Sequence, residues 1–278
     1  MARPSATKTA FGYGILNAIT AQVGDLEDLR IALDNRYRIM VTPRDELDKD
    51  GIARGFGIDP NDDELLGPLR TVKDGVASLE VVAIRAVERF MRNSPWRQWL
   101  DNPHSKGVGA KQLARLLGTI GDPYWHGAED RPRMVSELWS YCGLSVVDID
   151  DDGYGVAPRR KRGEKSTWSE EARKRAWLIA TSCVKSGGHY REVYDRAKRK
   201  YANTIHKHTC IRCGPSGKPA QVGTPLSAGH IHARALRAVM KAVLRDLWHE
   251  SRRMHGVLND EDGLVAGRKN RPPVAASA

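Results

Sequence analysis

The apolar residues of the first third of the chain fall in two runs of helical spacing. Leu26, Leu29, Leu33, Tyr37 and Met40 stand three and four apart, and Pro43 closes that run. The spacing returns at Val76, Leu79, Ala83, Val87 and Phe90. Between them, residues 43–70 are rich in Asp, Gly and Pro, which predicts a connection holding one short helix at most. The two runs together predict a helical hairpin over 25–100, built either as a coiled coil or as two amphipathic helices of a bundle. Residues 1–24 are small, polar and glycine-containing, and are expected to form a flexible N-terminal arm. Trp96 and Trp99 follow a break at Pro95 and are expected to anchor the hairpin to what comes next.

The next apolar run is preceded by Lys106-Gly107-Val108-Gly109 and carries Leu113, Leu116, Leu117 and Ile120, ending at Gly121-Asp122-Pro123. A Gly-x-Gly turn opening a helix is the sequence shape of a helix-hairpin-helix. It reads in two ways: as backbone N–H groups offered to a phosphate, or as a tight turn between two packed helices. Residues 124–133 are a polar insertion. A short helix with Val135, Leu138 and Trp139 on one face then stops at Gly143. Ser169 is placed to cap a helix running to about Lys185, with Glu170 and Glu171 in its first turn. Gly187-Gly188 separate it from a basic helix, His189 to Tyr201, and 203–229 is a Gly/Pro-rich connection. The last helix runs from about His230 to Met254, with Leu236, Val239, Met240, Val243, Leu244, Leu247 and Trp248 on its buried face. Residues 256–278 are expected to be a disordered basic tail. The fold class is therefore all-α, a helical hairpin followed by a helix-hairpin-helix-type domain over 101–255.

Composition narrows the partners. The chain has 278 residues and a net charge of +11, which argues for a polyanion, by the counterion release that dominates nucleic-acid affinity. DNA is the expected partner and RNA the alternative. No apolar stretch is long enough to cross a membrane, and the N-terminus lacks the apolar core of a secretory signal. Four cysteines in a chain of this length do not make a disulfide framework, so a cytoplasmic, nucleoid-associated protein is expected.

Between Val156 and Tyr201 there are fourteen Lys and Arg against five Asp and Glu. Arg159, Arg160, Lys161 and Arg162 form one run, and Arg191, Arg196, Arg199 and Lys200 crowd one helix beside Tyr190, Tyr194 and Tyr201. Basic side chains hold phosphates, and aromatic faces stack on exposed bases. With Lys106, Gly107, Val108, Gly109 and Lys111, these residues are the candidate DNA-binding set.

Cys210, Cys213, His230 and His232 have the spacing C-x2-C-x16-H-x-H and could fill a tetrahedral zinc set, with His206 or His208 able to replace either histidine. The alternative is reduced thiols in a surface loop. Asp148 to Gly153 opens like a calcium loop, but its twelfth position is Arg159, so calcium is excluded there. Ser145, Ser166 and Ser169 have no evident base beside them in sequence.

The hairpin at 26–99, Gly107-Val108-Gly109, the ARLLGTIGD and SELWSYCGL helices, the segment RRKRGEKSTWSEEARKRAWLIA and the closing AGHIHARALRAVMKAVLRDLW stand in an order that resembles one bacterial family. It is the Piv/MooV-type insertion-sequence transposases, a group of DEDD recombinases, and the resemblance covers about residues 26–252. It implies the C-terminal transposase domain with its preceding coiled-coil hairpin. Two departures matter. The family's RuvC-like catalytic domain precedes the hairpin, where this sequence has only about 24 residues and no such domain is expected. The family's catalytic serine, expected as Ser-Gly after Gly143-Leu144, is matched here by Asp152-Gly153. The resemblance then implies a DNA-binding protein on a transposase-derived scaffold, of phage or mobile-element kind, without catalysis. One rival is a transposase subunit that works with a separate RuvC-like chain. Another is an interaction protein that forms a homodimer through the 26–99 hairpin.

Overall fold

The computed structural model describes residues 11–147, 155, 157–158, 162–211, 213–214 and 218–257. Among these are eight α-helices: α1 (Tyr13–Val41), α2 (Asp63–Arg92), α3 (Arg97–Leu100), α4 (Ala110–Ile120), α5 (Val135–Tyr141), α6 (Glu170–Ser186), α7 (His189–Tyr201) and α8 (Ala228–Met254). A 3-10 turn spans Pro103–Ser105, and β1 (Trp125–His126) pairs antiparallel with β2 (Arg131–Pro132). The chain is mostly helical, an all-α fold, and no described helix is long and apolar enough to cross a membrane. The expected tail lies outside the described residues from 258 onward, and so does the first part of the expected arm, 1–10.

The chain divides into two compact units. One comprises 11–102 and 108–121; the other comprises 103–107 and the described residues from Asp122 onward. The turn-helix at 106–120, expected to belong with the downstream domain, therefore gives its helix α4 to the hairpin.

In the hairpin unit, α1 starts at Tyr13, so residues 13–24 are helix where an arm was expected. Leu16, Thr20 and Val23, spaced four and three, are buried and extend the helical stripe nearly three turns upstream of Leu26. α4 packs against this segment at Gly118, where an added Cβ would stand 3.0 Å from the Asn17 Cα. Glu27 then binds two cations of α4, Lys111 at 2.6 Å and the buried Arg115 at 2.7 Å. α2 is capped by Asp62, whose side chain accepts from the Leu65 N–H, with Asp63 and Glu64 in the first turn. The connection before it folds back on the end of α1, as the Phe56 and Ile58 N–H groups donate to the Ile39 and Met40 carbonyls.

The seam of α2 differs by one position from the expected one. Leu79 is 59% exposed, and the buried place is taken by Glu80. The cause is Arg30 on α1, whose Nε lies 2.5 Å from the Glu80 carboxylate and whose NH1 reaches Asp34 at 2.9 Å. Trp96 and Trp99 are buried edge to face, ring centroids 6.4 Å apart, within this same unit.

In the second unit α8 is the central helix, and α5, α6 and α7 all pack on it. Its buried stripe is Ala235, Leu236, Val239, Met240, Val243, Leu244 and Leu247. α6 presents a face of small residues, Ala172, Ala176, Ala180 and Cys183 with Ile179, and α7 presents Tyr190, Tyr194 and Ala197. Of the three tyrosines expected to face bases, Tyr190 and Tyr194 are core residues, whereas Tyr201 is half-buried. The Tyr190 hydroxyl lies 3.0 Å from the Asp246 carboxylate, and the Tyr194 hydroxyl lies 2.6 Å from the His232 Nδ1. Residues 124–133 form the β1–β2 ribbon. Asp122 fastens it to the end of α8 by accepting from the Tyr124 and Trp125 N–H groups and by meeting Ser251 and His255.

Glu27 gives the first test. Burial pushes its carboxyl up, but the hydrogen bonds and charges of Lys111 and Arg115 outweigh this and hold it below its ordinary value. Its stabilisation is therefore present above the unfolded-state pKa of about 4.3 and drains away as pH falls through the lower folded value. Glu27→Gln should cost about 2 kcal/mol at pH 7, as the loss of hydrogen bonds to charged groups. The gap between variant and wild type in urea midpoint should close as pH is lowered toward 3. A gap that stays constant would show that the carboxylate's charge does not hold α1 to α4.

Candidate metal centre and basic surface

Beyond α7 the chain doubles back on itself before entering α8. Ile205 bridges Pro225, with the His206 N–H donating to the Thr224 carbonyl at 2.8 Å. Cys210 bridges Ala220 through a reciprocal pair of N–H to carbonyl bonds of 3.0 and 2.8 Å. This pairing fixes the backbone of both His206 and Cys210. Ser227 caps α8 by accepting from the His230 N–H, which sets His230 in the first turn.

The result brings together His206, Cys210, Cys213 and His230, whose ligand atoms all lie within 4.8 Å of one another. Cys213 Sγ stands 3.2 Å from His230 Nδ1 and 3.1 Å from Ser227 Oγ, and Cys210 Sγ is 3.9 Å from the same nitrogen. His206 is 3% exposed, and its Nε2 is buried with no hydrogen-bond partner among the described residues. A buried imidazole nitrogen without a partner is costly unless something else, such as an ion, meets it. Two thiols and two imidazoles are the donor set of a closed tetrahedral site, so these residues fit a soft or borderline divalent ion. Burial pushes the Cys213 thiol up. Hydrogen bonds from Ser227 and Cys210 and the charge of Arg234 more than offset this, leaving it below its ordinary value and readier to ligate. Cys142 and Cys183, by contrast, are buried and pushed up to about 12.

His232 is not in the cluster; His206 takes the place expected for it. Residues two apart on an α-helix point about 200° apart around its axis, so His230 and His232 cannot both face one ion. A second group, His104, His189 and Asp246, is as close together. Its imidazoles stack, centroids 3.7 Å apart and planes only 26° from parallel. Lone pairs lying in two stacked planes do not converge on one point, and Asp246 already accepts from Tyr190. That group is a packing feature.

The expected phosphate-contact residues separate into three kinds. Gly107 has φ +94°, and a Cβ there would stand 2.6 Å from the Cys183 Cα, so its missing side chain serves close packing on α6. Val108 is buried, and Lys111 is paired with Glu27. Gly109 is the N-cap of α4, with extended backbone and nothing within 4 Å of an added Cβ. Lys106 is exposed beside Gly188. Arg159, Arg160 and Lys161 lie outside the described residues, whereas Arg162 is exposed. On α7, Arg191 is paired with Asp195 at 2.9 Å, while Arg196, Arg199 and Lys200 are exposed and make no ion pair among the described residues.

The sequence reading missed the cations of α8. Arg237 donates to the Leu144 and Ser145 carbonyls, in the loop that follows α5. Lys241 sits 4.7 Å over the Trp139 ring, and the Trp139 indole donates to the Lys241 carbonyl at 3.1 Å. Arg173 stacks on Trp168 at 4.9 Å and donates to the Pro158 carbonyl. Burial, and then the charge of Arg173, lowers the Arg237 guanidinium; burial and the charge of Arg237 lower Lys241. Among the described residues no carboxylate pairs with either Arg237 or Lys241. Beside them Tyr201 lies 5.5 Å from Arg234 and 5.9 Å from Lys200, so the end of α7 continues the same positive face. The signal was present in the sequence: Arg234, Arg237 and Lys241 are spaced three and four along α8, a basic stripe beside the apolar one.

Comparison with protein-family models and with curated proteins found no match for this chain.

The two glycines of the turn give opposite expectations. Gly107→Ala should cost at least about 2 kcal/mol, through the clash with α6 and the left-handed backbone. Gly109→Ser has room and adds a capping hydroxyl, so it should hold or raise stability. Denaturant midpoints of the two variants check this. Equal midpoints would mean that the Gly107 approach to Cys183 contributes nothing to the fold.

Proposed function

We propose that this chain binds nucleic acid, with duplex DNA as the favoured form, mainly through phosphates, and that it does so without catalysis. The observation that carries the reading is the partly buried positive charge on α8, Arg237 and Lys241, held by carbonyls and an indole and flanked by Arg173. Like charges gathered in a half-buried place raise each other's free energy, and a bound polyanion relieves it. The exposed cations Arg196, Arg199 and Lys200 widen the footprint. Side chains suited to reading bases, such as Asn and Gln, are scarce on these elements, so recognition rests on backbone and shape. The motif order that resembles the Piv/MooV-type transposases agrees with this reading.

Affinity for a short duplex should fall roughly ten-fold or more between 50 and 200 mM salt, the response expected when several phosphates are contacted. Changing Arg196, Arg199 and Lys200 together to Ala should weaken binding and reduce the slope of log affinity against log salt by about 3. Lys241→Met keeps the stem over Trp139 and should weaken binding with the fold intact. Affinity that is flat with salt, or unchanged in both variants, would remove the reading.

The metal centre is assigned, on the same terms, to one structural zinc ion held by His206, Cys210, Cys213 and His230. A closed four-ligand site leaves no open position for water, so its task is to pin 203–227 to the start of α8. Metal analysis should find about one zinc per chain. Cys213→Ser should lose the ion and open the 203–227 segment to proteolysis, while His232→Ala should keep it. Zinc retained in Cys213→Ser, or lost in His232→Ala, would overturn the ligand assignment.

A further inference from the structure

The hairpin unit leaves one face of α2 uncovered, and that face has a pattern of its own. Leu65, Val72, Leu79 and Ala86 recur every seventh residue, with Pro68, Gly75 and Val82 between them. The four largest side chains of this set, Leu65, Val72, Leu79 and Val82, are 60, 54, 59 and 62% exposed. No charged residue interrupts the stripe over its 22 positions, roughly 32 Å of helix. This is separate from the seam toward α1, where Leu66, Glu80, Val87 and Met91 are buried. A 3-4 apolar repeat on a face left exposed among the described residues is the pattern that packs against another helix.

Gly75 lies at the middle of the stripe and of the helix. An added Cβ there would meet nothing within 4 Å, so no packing inside the chain requires a glycine. Glycine weakens a helix interior, and its use here has a reason if a second helix approaches closely at that point.

The polar edge of the stripe says which helix. Along it run Glu64, Thr71, Ser78 and Arg85, acidic at one end, neutral in the middle and basic at the other. Neither Glu64 nor Arg85 makes an ion pair among the described residues. Such an edge is complementary to itself when two copies run antiparallel: Glu64 of one meets Arg85 of the other, and Thr71 meets Ser78. The apolar layers then fall as Val72 on Gly75, Pro68 on Leu79 and Leu65 on Val82, each occurring twice about a two-fold axis. We propose that a second copy of this chain docks on the outer face of α2, with the two helices antiparallel and the axis passing between Val72 and Gly75.

The test is sedimentation equilibrium of the nuclease-treated full chain, from 1 to 100 µM. The wild type should be dimeric in that range. Val72→Glu with Leu79→Glu should be monomeric with unchanged helical circular dichroism, because both positions are exposed in the single chain. Gly75→Leu favours the helix itself and so guards against failure to fold. It should weaken the dimer at least ten-fold while holding the thermal midpoint of the monomer. Glu64→Arg should weaken the dimer several-fold, and Arg85→Glu added to it should restore it. A wild type that is monomeric at 100 µM, or a dimer indifferent to Val72→Glu with Leu79→Glu and to Gly75→Leu, would overturn the proposal. Loss without restoration in the charge-swapped pair would overturn the antiparallel arrangement.

Discussion

Much of the second unit depends on the helical period of one element. α8 has 27 residues, and at 100° per residue its apolar stripe fixes where every other side chain on it must point. The stripe from Ala235 to Leu247 gives α5, α6 and α7 a common surface. The same rotation places Arg234, Arg237 and Lys241 along its flank and turns His232 onto Tyr194. It sets His230 in the first turn beside the cysteines and Ser251 in the last turn against Asp122. The candidate metal centre and the basic face are thus two consequences of a single buried stripe.

The hairpin unit is held differently. Its seam mixes apolar residues such as Leu16, Leu33, Leu66 and Met91 with ion pairs that are partly out of water: Glu80 with Arg30, and Glu27 with Lys111 and Arg115. Such pairs add less stability than packed hydrocarbon would, since desolvation offsets most of the attraction. They do fix register. A slide of α2 along α1 would leave Glu80 buried without its guanidinium, and a slide of α4 would leave Arg115 without Glu27. Breaking one partner of a buried pair costs more than the pair contributes, so the arrangement selects one alignment among several that apolar packing alone would tolerate.

Helix content and the order of elements were legible in the sequence, because each long helix carries a run of apolar residues at 3.6-residue spacing. α6 and α7 began and ended close to Ser169 and Gly187-Gly188, where capping and breaking residues stand, and α8 began at Ala228, two residues before the expected His230, and ended at the expected Met254. What could not be read had a specific cause each time. The first turns of α1 were hidden because Thr20 stands in the buried stripe and glycines lie on either side of it. Leu79 and Glu80 exchanged roles because the partner that draws Glu80 inward, Arg30, is fifty residues away. The Gly107 turn looked like a phosphate cradle because a glycine that admits a ligand and one that admits a neighbouring helix are the same residue in sequence. Among the metal donors, the helical phase of His230 and His232 was a sufficient reason to prefer an upstream histidine. The choice of His206 over His208 needed the Ile205–Pro225 bridge, a pairing across twenty residues of irregular chain.

On the proposed reading, the metal centre and the basic face would also be coupled by charge. The Cys213 thiol is pushed up by burial and lowered by hydrogen bonds from Ser227 and Cys210 and, least of these, by the charge of Arg234, whose guanidinium lies over Tyr201 toward the end of α7. Two thiolates and two neutral imidazoles around a divalent ion sum to zero, whereas a bare thiolate is an anion next to that arginine. On the reading proposed above, loading the site with zinc neutralises the thiolate charge gathered there, which would otherwise oppose the pull of Arg234 on a nucleic-acid phosphate. Metal and polyanion would then act in the same direction although they share no ligand: the ion orders the connection into α8 and leaves the positive field at the end of α7 undiminished. The cysteines would thereby influence binding through electrostatics as well as through the fold, with the electrostatic part fading as salt screens it and the structural part persisting.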